Sequence, residues 1–174
     1  MSSAWIFGYG SLIWRPDIEY QRSVRAALPG YSRRFWQGSH DHRGTPEQPG
    51  RVVTLIEQPD ATCTGMAYLV DAELLEETFT NLDYREKNGY ERLDIQLQLD
   101  DNATIAAHTY IAPTGNFAYL GPAPMSDIAR QIHQCHGPSG ANRDYLLQLA
   151  AALRAIEVHD AHVFELESLV LALG

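Results

Sequence analysis

The order of its periodicities constrains this chain most: strand-like patterns fill the first two-thirds and helical ones the last third. Apolar, β-prone segments at Trp5–Phe7, Tyr31–Trp36, Arg51–Glu57 and Thr64–Val70 read as strands. Leu93, Ile95, Leu97 and Leu99 alternate with polar residues, the period of a half-buried strand. Asp100-Asp101-Asn102 then marks a hairpin-like turn before a further strand at Thr104–Ile111. One helix is inserted among the strands, with Asp71 as N-cap and Leu74, Leu75, Thr78, Phe79 and Leu82 on its apolar face. It is expected to end near Gly89, a residue suited to the left-handed position past a helix. Three more helices are predicted over Pro124–His136, Asn142–Ile156 and Ala161–Leu173, with Ser126 and Ser139 as caps. Strands first and helices last predict an α+β fold with a curled, largely antiparallel or mixed sheet.

With 174 residues, 45% of them hydrophobic, the chain suffices for one well-buried core and is short for two, so residues 1–174 are read as one domain. A net charge of −9 argues against nucleic acid and anionic membrane surfaces as partners. The two cysteines, Cys63 and Cys135, make no disulfide framework, which fits a reducing compartment. No signal-peptide pattern opens the chain and no apolar run reaches the roughly 18 residues of a membrane span, so a cytoplasmic protein is expected. The sequence sets no oligomeric state.

Two segments carry candidate chemistry. Ile6-Phe7 runs into Gly8-Tyr9-Gly10-Ser11, a strand opening into a tight loop. Glycines on either side of one residue permit positive φ and bring N–H groups close to a ligand, to hold a carboxylate or a developing oxyanion; an ordinary β-turn is the alternative. The second segment, Asp83-Tyr84-Arg85-Glu86-Lys87-Asn88-Gly89-Tyr90, lies at the C-terminal end of the inserted helix. There the helix dipole disfavours negative charge, so a carboxylate such as Glu86 tends toward a raised pKa suited to general-base work; an exposed helix-end Glu in a surface charge cluster is the alternative. Asp83 is the competing carboxylate. Arg85 and Lys87 are expected to point elsewhere, because successive helical residues are turned by about 100°. The Gly38–Gly50 loop, with Arg33, Arg43 and Arg51 in or beside it, is the candidate site for an anionic substrate group. His133, Cys135, His136, His159 and His162 lack the spacing of a zinc module and are read as structural.

These segments, in order, resemble one family. Gly8-Tyr9-Gly10-Ser11-Leu12-Ile13-Trp14 is similar to the Y-G-S-L loop of the γ-glutamylcyclotransferases. Ser32–Ser39, Asp41–Gly44, Pro49–Leu55, Asp83–Tyr90 and Tyr119–Pro124 resemble the ChaC-like, glutathione-specific branch, so the likeness spans nearly the whole chain. Asn88 departs from it, standing where the family's R-E-K-G-G-Y form has glycine. The resemblance implies a mixed, barrel-like α/β fold and cleavage of glutathione to 5-oxoproline and cysteinylglycine, with no cofactor. It implies Glu86 as the catalytic acid/base, and Ile6, Phe7, Gly8, Tyr9, Gly10, Ser11 and Leu12 around the γ-glutamyl moiety, largely through backbone groups. Tyr90 and Tyr119 match the pocket tyrosines. Such a reaction suits the residues present, since a γ-glutamyl amide carries its own nucleophile, the α-amine. The enzyme has only to fold the chain for ring closure and move a proton. Two other readings stay open: a cyclotransferase for other γ-glutamyl amines, and a non-catalytic regulatory module on the same fold.

Overall fold

A computed structural model describes residues 2–174. Strands β1 (Ala4–Gly8), β2 (Arg22–Ser39), β3 (Gly50–Val70), β4 (Glu91–Leu99) and β5 (Thr104–Ile111) close a barrel in the order β1-β3-β2-β4-β5. All pairings are antiparallel except the closing one, where Trp5 and Ile6 run parallel to Ala107 and His108. Helix α1 (Leu75–Arg85) joins β3 to β4. Helices α2 (Met125–Gln134), α3 (Asn142–Ala155) and α4 (Ala161–Ala172) follow the barrel, with the small hairpin β6 (His136–Gly137) and β7 (Gly140–Ala141) between α2 and α3. The predicted α+β order is thus the observed one. Buried residues from Phe7 in the barrel to Val170 in α4 form one continuous core.

The sheet departs from the sequence reading in length. The segments Tyr31–Trp36, Arg51–Glu57 and Thr64–Val70 are parts of two long strands, β2 and β3, paired from Arg22↔Leu69 to Ser39↔Gly50. Pro59 and its polar neighbours look like a turn in sequence. They lie in a bulge, where residues 58–61 of β3 oppose Gly30 alone. A bulge leaves residues outside the ladder, so the missing N–H of Pro59 costs nothing there. Gly30 takes φ +85° at this bend, which favours glycine.

Helix ends are also decided by neighbours. Asp71 does cap, but a 3₁₀ turn at Ala72–Leu74, accepting from the Glu73 N–H; α1 then stops at Arg85, and Gly89 carries the expected positive φ, +95°. Thr78 and Leu82 are its buried residues, with Leu74, Leu75 and Phe79 packed around them. Ser126 and Ser139 are not caps. Residues Pro124 and Ala141 precede α2 and α3 without a side-chain cap bond. Asn142 instead clips α3 to the barrel, its amide bonding both the N–H and the C=O of Arg51 at 2.8 Å. Asp160 caps α4 through the Val163 N–H. Among the described residues no helix is long and apolar enough to cross a membrane.

Candidate active site

The end of β1, the residue after α1, the loop after β2 and the first turn of α3 meet at a cavity beside the barrel. The glycine loop contributes Tyr9, Gly10, Ser11 and Leu12, and β3 contributes Val52 and Val53. Arg15, Ser39, Asp41, His42, Arg43, Arg85, Glu86, Asn88, Tyr90, Tyr110, Ser139 and Tyr145 complete the lining. Counted with the open solvent at its mouth, the outer part spans about 570 Å³.

Glu86 stands just past α1, with backbone φ −100° and ψ 19°, and its N–H reaches back to the Leu82 carbonyl at 2.9 Å. Among the described residues nothing hydrogen-bonds its carboxylate. Burial pushes its pKa from 4.5 up to about 7; Arg85 opposes this and the charge of Asp41 adds to it. Arg85 therefore does not point elsewhere. Because Glu86 has left helical geometry, the 100° rule no longer separates the two, and both face the cavity. The Arg85 guanidinium donates to the Ser11 hydroxyl at 2.8 Å and to the Pro16 carbonyl at 3.3 Å, tying the glycine loop to the end of α1. Asp83 is engaged away from Glu86, accepting from the Tyr110 hydroxyl and lying 3.9 Å from Arg92.

The glycine loop owes its glycines to crowding. Neither Gly8 nor Gly10 has positive φ, contrary to the sequence expectation. A Cβ on Gly8 would lie 2.6 Å from the Leu12 Cβ, and one on Gly10 would lie 2.9 Å from the Val53 Cγ2 and 3.1 Å from the Tyr145 Oη. The side chains of Ile6 and Phe7 are fully buried in the core, so these residues, with Gly8, support the loop and do not line the cavity. Past them, the N–H groups of Gly10, Ser11 and Leu12 have no protein acceptor among the described residues, whereas the Gly10 and Ser11 carbonyls accept from Ile13 and Arg15. Successive free N–H groups make a place for an anion. Gly10→Ala is expected to lower turnover at least tenfold by pressing on Tyr145 and Val53, at a stability cost of about 1–3 kcal/mol; steady-state kinetics beside a thermal melt check this, and unchanged kinetics would show an ordinary turn.

A second bulge shapes the opposite wall. Between Arg34↔Thr54 and Gln37↔Val52, Phe35 and Trp36 together oppose Val53. The backbone groups so released from the ladder find other partners. Val53 N–H donates to the Tyr145 hydroxyl at 3.3 Å, and Val53 C=O accepts from the Tyr90 hydroxyl at 2.7 Å. Phe35 N–H donates to His162 Nε2 at 3.0 Å, and burial holds that imidazole neutral with a pKa near 4. His162 thus serves as an acceptor for the β2 backbone. Among the described residues no group of three or more His, Cys, Asp or Glu converges on a point.

The arginines divide by tertiary position. Arg43 lines the cavity, with its guanidinium 5.7 Å from the Tyr145 ring centroid and one donor on the Ala141 carbonyl at 3.2 Å. Arg33 does not: its side chain is 1% exposed, pairs with Asp160 at 2.6 Å, and donates to the carbonyls of Tyr9 and Thr64. It braces the glycine loop against α4 from behind. Arg51 is likewise committed, to Gln131 and to the carbonyls of Phe35 and Gly121. Tyr119 also lies outside the lining, because its segment crosses the end of β2 and bridges to Gln37. Among the lining residues to which the sequence reading gave no site role are Arg15, Asp41 and Tyr145. Arg15 follows the glycine loop, Asp41 precedes His42, and Tyr145 reads in sequence as part of a buried helix face. His42 bonds Ser139 at 3.0 Å.

A sequence profile of the family described as ChaC-like protein matches residues 4–173, and the chain belongs to that family. It is 45% identical to a glutathione-specific γ-glutamylcyclotransferase 1 of Danio rerio, over 98% of this chain and 90% of the relative. It is 42% identical to γ-glutamylcyclotransferase 2-3 of Arabidopsis thaliana, over 95% of this chain and 87% of that one. A crystal structure of a yeast γ-glutamyl cyclotransferase specific to glutathione superposes with a TM-score of 0.93 at 30% identity, covering 99% of this chain and 97% of the other.

Proposed function

We propose that this protein is a γ-glutamylcyclotransferase that cleaves reduced glutathione to 5-oxoproline and cysteinylglycine. The observation that carries the reading is Glu86: a carboxylate with no protein hydrogen bond, raised by burial to about 7, in a cavity beside free loop N–H groups. The substrate's α-ammonium gives a proton to Glu86, and the freed amine attacks the γ-carbonyl carbon. The new C–N bond closes the five-membered ring, the ring nitrogen sheds its second proton as the old amide C–N bond breaks, and the leaving nitrogen takes up both protons, the first from Glu86, and departs as an ammonium. Holding the chain folded for closure is the larger part of the work.

The N–H groups of Gly10, Ser11 and Leu12 receive the γ-glutamyl α-carboxylate, and Arg43 reads the distal carboxylate at the glycine end. Arg33 and Tyr119 are left out of this set by their positions. The reaction needs no metal, since nucleophile and electrophile belong to one molecule, and its class is that of a lyase. The chain acts as one catalytic domain on a small molecule, in the cytoplasm; Cys63, buried and unpaired, suits a reducing compartment. Purified protein treated with EDTA is expected to release 5-oxoproline from reduced glutathione, with kcat/KM above that for γ-glutamylalanine, whose carboxylate lies one residue closer. No 5-oxoproline from either would remove the cyclotransferase reading. Equal values would remove Arg43 as reader of the distal carboxylate.

A further inference from the structure

Four tyrosines line the cavity with Glu86, and their hydroxyls are not equivalent. A phenol has one proton to give and lone pairs to accept with. Tyr9 gives its proton to the Tyr110 carbonyl at 2.6 Å, Tyr90 gives its own to the Val53 carbonyl at 2.7 Å, and Tyr110 gives its own to Asp83. These three can therefore offer the cavity only lone pairs. Tyr145 is the opposite case. Its oxygen accepts from the Val53 N–H at 3.3 Å, an interaction that turns its own proton away from β3, and among the described residues that proton has no acceptor.

Tyr145 stands at the cavity that Glu86 lines. It lines both parts of that cavity with Ser11, Glu86 and Tyr90, and a Cβ on Gly10 would come within 3.1 Å of its oxygen. The ring is fixed by edge contacts with Trp14, at 5.4 Å between centroids, and Phe35, at 5.8 Å. The phenol thus arrives pre-oriented, with little reorganisation left for the moment of reaction.

We infer that the Tyr145 hydroxyl donates a hydrogen bond to the γ-carbonyl oxygen of the substrate as that oxygen becomes an oxyanion. The inference rests on the cyclotransferase reading and completes it. The loop N–H groups are then left to the α-carboxylate, and Glu86 alone carries the moving proton. No proton leaves Tyr145: burial raises its pKa, which keeps it a phenol throughout.

Tyr145→Phe keeps the ring and its aromatic contacts and removes the donor, together with the acceptor of the Val53 N–H. Its kcat for glutathione is expected to fall about 10²–10³-fold, the usual consequence of removing one such donor. KM is expected to stay within about threefold, like the affinity for a glutathione analogue with a methylene in place of the γ-carbonyl; the pH midpoint of kcat/KM is expected not to move. A kcat within threefold of wild type, a parallel loss of analogue affinity, or a shifted midpoint overturns the assignment. If the variant melts below the assay temperature, 3-fluorotyrosine placed at position 145 supplies a stronger donor on the same ring; kcat is then expected to change without KM, and an unchanged kcat overturns the proposal. A wild-type protein that releases no 5-oxoproline would remove the cyclotransferase reading instead, so the two failures are distinct.

Discussion

Glu86→Gln is expected to abolish turnover and, above pH 7, to stabilise the fold. The amide keeps the size of the carboxylate but cannot carry a proton, and general acid–base roles are worth about 10²–10⁴ in rate. In the wild type, kcat/KM is expected to rise with pH through a midpoint near 7, where Glu86 loses its proton and becomes a base. Stability runs the other way. The native state holds this proton up to about 7, whereas the unfolded chain releases it near 4.5. Stability therefore falls as pH rises through that window, by about 3 kcal/mol in full, and stays reduced above it. The glutamine variant has no such titration. Its melting temperature is expected to exceed that of wild type at pH 8 and to approach or drop below it at pH 4.5. A variant that keeps more than a tenth of wild-type kcat, or a stability difference that is the same at both pH values, would show that Glu86 is neither the base nor a desolvated carboxylate.

The second large effect concerns Arg33, which sequence alone places with the substrate. Arg33→Met is expected to cost about 3–5 kcal/mol of stability, as when one partner of a buried ion pair is removed. For a chain of this length that is roughly a 10 °C fall in Tm. The loss follows from the contacts: Asp160 keeps its capping bond to Val163 but loses its counter-charge, and the Tyr9 and Thr64 carbonyls lose their donors. Adding Asp160→Asn is expected to recover part of the stability, because the uncompensated charge is gone. KM of the folded enzyme is expected to change little. Urea titration and initial rates on the same preparations decide the matter: a large rise in KM with Tm unchanged would return Arg33 to the substrate.

The sequence by itself determined the element order, the inserted helix ending before Gly89, and the glycine loop after the first strand. Each rests on local physics, since hydrophobic period and capping act within a few residues. Glu86 was legible for the same reason, as a carboxylate where a helix must stop. What the sequence could not determine was register. Pro59 and Asp60 carry the chemistry of a turn, and only pairing with β2 turned that segment into a bulge within one strand. The same kind of offset at Phe35-Trp36 freed the Val53 backbone to hold Tyr90 and Tyr145, two residues distant from it in sequence. Tyr145 looks like core because its ring is core; its hydroxyl acquires a role only through the partner that occupies its lone pair. Arg33 and Arg43 carry the same charge in the same basic stretch, yet docking of α4 buries the first and the loop after β2 exposes the second to the cavity. Local pattern sets which elements form. Which groups face the substrate is set by contacts between residues far apart in the chain, and those exist only once the barrel has closed.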